Sequence, residues 1–144
     1  MTELRATQRA RVRTNRAGNV AAVLANVVGL VLIHVWPGWE AIPFLTEDTP
    51  SVLGLVDAAL VVGIVVNVVY LVRDPGWPTA AGQLITTVMS TVAMVRVLQV
   101  FPFDLSGAWT TVVRALLLLA IVGSCLGIIA LVVALSRLRR VEGR

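Results

Sequence analysis

The chain has 144 residues, of which 58% are hydrophobic and 14% charged, and its mean hydropathy is +0.89. That balance leaves too little polar surface to cover a water-soluble domain of this size and points to an integral membrane protein. The formal charge of +4 and a pI near 11.0 do not signal nucleic acid, because the arginines gather at the two ends and flank the apolar runs. A single cysteine, Cys125, excludes an intrachain disulfide and any CxxC redox pair.

The opening residues 1–16, MTELRATQRARVRTNR, carry Arg5, Arg9, Arg11, Arg13 and Arg16 against Glu3. Their apolar positions are too few for a membrane-lying face, so the expectation is a mobile or loosely helical cytoplasmic arm. Its partner is an anionic inner leaflet, where each basic residue contributes about 1 kcal/mol, or it serves simply to retain this end inside. It does not read as a cleaved signal. The basic region is long, the following apolar run has full span length, and Trp36-Pro37-Gly38-Trp39 offers no small-residue cleavage site.

A spanning helix takes ~20 largely apolar residues, and four such runs fill nearly the whole chain. The first covers about 17–36, with Ala21, Ala25 and Gly29 recurring every fourth residue on one stripe open to a close helix approach. Asn26 and His34 are its polar members, His34 lying beside the Trp36 and Trp39 pair of an aromatic belt. With no second histidine in the chain, His34 reads as an interfacial hydrogen-bonding group and not a metal ligand. The loop from Pro37 to Pro50 contains Glu40, Glu47 and Asp48 and no arginine, and Ser51 is the expected N-cap of the next helix.

The second span covers about 52–72, with Asp57, Asn67 and Tyr70 as polar members and Ala59 and Gly63 as a small-xxx-small pair. The Pro-Gly content of Arg73 to Pro78 predicts a tight turn, hence an antiparallel hairpin of the second and third spans. The third span, about 79–101, carries Gln83, Thr87, Ser90 and Met94 at helical spacing, a hydroxyl face whose usual role is packing and not pore lining. The fourth, about 108–136, is the longest and contains Gly123-Ser124-Cys125-Leu126-Gly127, a GxxxG pattern that favours close helix packing. Residues 137–144 form a basic tail.

Outside the spans the arginines number five in the arm, one in the second connection and four in the tail, with none in the first and third loops. The positive-inside rule then places both termini in the cytoplasm. The predicted fold is all-α, an antiparallel four-helix integral membrane bundle occupying 17–136. In that orientation His34, Asp57, Arg96 and Arg114, one from each helix, share a layer about 5 to 10 Å below the outer hydrocarbon boundary. Two arrangements are open. In one, Asp57 pairs with Arg96 or Arg114 while Asp104 takes the other; in the second, the arginines reach outward individually and Asp57 is protonated or faces headgroups.

Several four-span activities lack their residues here. Small multidrug-resistance transporters depend on a glutamate embedded in the first span, vitamin K epoxide reductase-like enzymes on paired cysteines, and rhomboid-like proteases on a deep Ser and His dyad. Phe101-Pro102-Phe103-Asp104, followed by Gly107, Trp109 and Arg114, resembles the turn between spans three and four of uncharacterised small four-pass bacterial membrane proteins. That resemblance covers the second half of the chain and implies topology and a bacterial inner-membrane location, but no chemistry. The expected function is therefore non-enzymatic, with no cofactor or metal: a helix-packing or accessory subunit of a membrane complex or homo-oligomer. The alternative is a small dimeric transporter or channel built on the hydroxyl face.

Overall fold

A computed structural model describes the backbone of residues 2–72 and 78–142, and the side chains of 16–72, 80–133, 135 and 136. The chain is all-α and 83% helical. Four long helices follow one another: α1 (Thr2–His34), α2 (Pro50–Val72), α3 (Pro78–Val100) and α4 (Ala108–Glu142), with a 3-10 turn at Trp39–Ala41. Each contains a window long and apolar enough to cross a bilayer, Arg16–His34, Pro50–Val72, Ala80–Val100 and Ala108–Val133.

The ends differ from the sequence expectation in instructive ways. The basic arm is helical from Thr2 and continues without a break into α1, since no proline or glycine interrupts it before Gly18. α1 stops at His34, two residues before Trp36, and Gly38 at φ 84 turns the chain with its N–H donating to the Leu32 carbonyl at 3.1 Å. Ser51 is not the cap of α2. The helix begins at Pro50, whose fixed φ suits a first helical position, and the Ser51 hydroxyl donates to the Asp48 carbonyl at 2.7 Å. Residues 73–77 of the expected tight turn lie outside the described residues.

Packing follows chain order: α1 lies on α2, α2 on α3, and α3 on α4. Among the described residues, no Cα of α1 comes within 8 Å of one in α3 or α4, nor any of α2 within 8 Å of one in α4. The bundle is therefore open between its first and last helices. Its accessible surface, 10390 Å², far exceeds the ~7,200 Å² expected of a compact soluble chain of this mass. Among the described residues the buried core is correspondingly small, consisting of Val52, Ala93, Thr49, Thr91, Gly63, Gly82 and Pro102. Most described large aliphatic side chains of α1 and α4 face outward, as suits a lipid environment and is unusual for a chain in water.

Three helical glycines set how closely the neighbours approach. On the α1–α2 seam the Asn26 amide sits where a side chain at Gly63 would stand, its Nδ2 only 2.7 Å from a Cβ built there, and Leu60 fills the space over Gly29. On the α2–α3 seam the Tyr70 hydroxyl and Val66 occupy the notch at Gly82, and the Tyr70 hydroxyl also reaches the backbone of Gln83. Asn67 stays within its own helix, its Nδ2 donating to the Gly63 carbonyl at 2.7 Å.

Candidate functional site

The features with chemical content gather where the two longer loops meet. Residues 35–49, between α1 and α2, and 101–107, between α3 and α4, are stitched by an antiparallel backbone pairing. The Asp104 N–H donates to the Phe44 carbonyl at 2.8 Å and the Thr46 N–H donates to the Pro102 carbonyl at 3.1 Å. Pro102 is fully buried inside this clasp. Thr49 is 3% exposed, and its hydroxyl donates to the Thr46 carbonyl at 2.6 Å. The clasp ties the α1–α2 half of the chain to the α3–α4 half, a linkage the helices alone make only through the α2–α3 seam.

Phe101 is the hinge residue of the clasp. It follows α3 directly and adopts φ 46, a left-handed conformation that costs a non-glycine residue about 1 to 3 kcal/mol and persists only where its surroundings impose it. Two contacts on the ring do so. Phe103 packs edge-on with centroids 5.4 Å apart, and the Arg114 guanidinium carbon lies 4.5 Å from the Phe101 ring centroid. Such a stack contributes about 0.5 to 2 kcal/mol, depending on how far it is desolvated.

The ionisable residues of the predicted layer divide into separate contacts. His34 Nε2 lies 2.9 Å from both carboxylate oxygens of Asp57, joining the end of α1 to the second turn of α2. The side chains are 48% and 29% exposed. Arg114 meets Phe101, and Arg96 and Asp104 are exposed. Among the described residues no arginine lies within 4.0 Å of a carboxylate, so the geometry has Asp57 paired with the histidine and not with Arg96 or Arg114. The physical reason is reach: Asp57 projects into the α1–α2 seam, while both arginines belong to α3 and α4, which do not border it. The sequence marks His34 as an interfacial hydrogen-bonding group and a member of the layer, but names no partner for it. Its distance of 23 residues from Asp57 hid the pairing, although each sits near the loop-side end of its helix.

Three threonines of α3, Thr87 on the hydroxyl face and Thr86 and Thr91 beside it, bond to their own backbone. Thr86 donates to Gly82, Thr87 to Gln83 and Thr91 to Thr87, at 2.8, 2.7 and 2.7 Å. A hydroxyl so engaged has given up its donor to the preceding turn. Among the described residues no three His, Cys, Asp or Glu side chains gather as a metal site.

The small-residue positions also divide. Gly29 and Gly63 lie in the α1–α2 seam and Ala59 is half-buried, whereas Ala21 and Ala25 are exposed. Gly123 and Gly127 are different again: a side chain built at either would meet nothing within 4 Å. α4 packs on α3 through Val113, Leu117, Ile121, Ser124, Ile128 and Leu131, all half-buried at heptad spacing. At 100° per residue the two glycines stand about 60° to 100° around the helix from Ser124, together with Leu116 and Ala120. No family model, curated protein or solved structure matches this chain.

Proposed function

We propose that the protein is a non-enzymatic, multi-pass membrane protein that works by helix packing, as a subunit of a homo-oligomer or of a larger membrane complex, and that α4 carries the interface. One observation carries this reading. Gly29, Gly63 and Gly82 are each covered by a neighbouring helix of the same chain; of the helical glycines that meet nothing, Gly18 and Gly54 stand singly, whereas Gly123 and Gly127 form a pair on one face of a helix with a free flank. Glycine in a helix interior costs about 1 kcal/mol relative to alanine; a pair on one face is accounted for by a close approach, which no described residue of this chain makes.

The topology that goes with it is antiparallel, with both termini in the cytoplasm of a bacterial inner membrane. Successive contacts support the first part: Asn26 with Gly63, Gly29 with Leu60 and His34 with Asp57 climb α1 while descending α2. The arginine distribution supports the second. The transporter alternative is weakened by the geometry, since Thr86, Thr87 and Thr91 of α3 are engaged within their own helix.

Leucine at Gly123 and Gly127 tests the proposal by crosslinking in native membranes. The expected result is loss of the crosslinked species with the level and helicity of the protein maintained. Unchanged crosslinking would remove α4 from the interface.

A further inference from the structure

Arg114 lies in a membrane-spanning window without a carboxylate, yet it is not free to wander. Its Cα is six residues inside α4, about 9 Å along the axis from Ala108. Its guanidinium, however, lies over the ring of Phe101, the first residue beyond α3. The charge is thereby raised from the depth of its backbone to the level where the helices end and lipid headgroups begin. Trp109, 66% exposed in the first turn of α4, marks the same interfacial level.

The contact with the ring uses none of the guanidinium N–H donors, which are the part that binds oxyanions in a fork. Arg114 makes no hydrogen bond or ion pair with any described residue, and Asp104, ten residues earlier on the clasp, is exposed and not within 4.0 Å of it. A fixed, unneutralised arginine at headgroup level calls for an anion supplied from outside the chain.

We propose that Arg114, held by Phe101, is a binding site for the phosphodiester of a phospholipid headgroup at the clasp end of the bundle. The inference rests on the chain spanning a bilayer and is independent of association through α4. Phosphate chemistry alone would also admit free inorganic phosphate, so the test separates the two sources.

The full chain, purified in mild detergent and checked for helicity by circular dichroism, is titrated with phosphatidylglycerol, with diacylglycerol of the same tails and with inorganic phosphate. Bound molecules are counted by native mass spectrometry. Wild type should bind phosphatidylglycerol in preference to the other two, and Arg114→Gln should weaken that binding about tenfold, the loss expected of a charge-assisted contact. Phe101→Leu, which keeps the charge and removes the ring, should weaken it several-fold and keeps the test decisive if Arg114→Gln fails to fold. Phosphatidylglycerol binding that is unchanged in both variants overturns the proposal, as does equal retention of diacylglycerol. Saturable uptake of inorganic phosphate without lipid preference overturns the lipid assignment.

Discussion

Replacing Gly82 by alanine should loosen the α2–α3 seam by an amount the structure lets one work out. A Cβ at this position would stand 2.9 Å from both Val66 Cγ1 and Tyr70 Cζ and would collide with the Tyr70 hydroxyl. Ordinary carbon contacts begin near 3.5 Å, so Val66 must yield by roughly 0.6 Å and Tyr70, whose hydroxyl is closer still, by more, and the aromatic ring is the stiffer of the two. Overpacking of this kind costs about 1 to 3 kcal/mol. Alanine recovers up to about 1 kcal/mol of helix propensity, leaving a net loss of about 1 to 2 kcal/mol. The assay is unfolding of the detergent-solubilised protein by added sodium dodecyl sulfate, followed by helicity and tryptophan fluorescence. Tyr70→Leu in the same background should restore part of the loss, because the collision is with that ring. Gly123→Ala is the control: its Cβ meets nothing within the chain, so the monomer should be unchanged or slightly more stable. A Gly82→Ala protein as stable as wild type would refute the packing argument.

Three further outcomes follow from the clasp end. His34→Gln and Asp57→Asn, made singly and together, should show a coupling of about 0.5 to 1 kcal/mol in the same titration, modest because the histidine is 48% exposed; strict additivity would contradict the pairing. Asp57→Asn with Arg114→Gln should instead add, since the two side chains belong to separate contacts, and a coupling above about 0.5 kcal/mol would restore the arginine network. Pro102→Ala removes two methylenes from a fully buried site and should cost about 1.5 kcal/mol; no measurable loss would mean that the loop pairing contributes nothing to stability.

How much of this was legible in the sequence differs from element to element. The helices were, because twenty-residue apolar runs punctuated by Pro-Gly clusters admit little else; only their ends moved, through chemistry that periodicity does not encode, such as Pro50 taking a first helical position ahead of Ser51. The shared layer of His34, Asp57, Arg96 and Arg114 was readable as depth along each helix, but the partners were not, since partner choice depends on which helices are neighbours in space. Sequence placed one charge on each helix; chain-order packing confines Asp57 to His34 and leaves Arg114 to Phe101. The loop pairing around Pro102 left a faint trace, two phenylalanines flanking a proline, whose meaning depends on a strand-like segment almost sixty residues earlier. Gly82 gave no signal at all, because a glycine beside a polar residue near a helix start looks like turn composition until Tyr70 is seen above it.

The most direct test of the central claim is site-specific photocrosslinking in native membranes from position 120, on the glycine side of α4, compared with position 118. Leu118 stands on the other flank of that helix and is 52% exposed. A probe at Ala120 should yield a discrete protein adduct, at twice the chain mass for a second copy or at another fixed mass for a partner subunit, while the probe at Leu118 should label lipid alone. Lipid labelling from both positions would contradict the assignment of α4 as an interface.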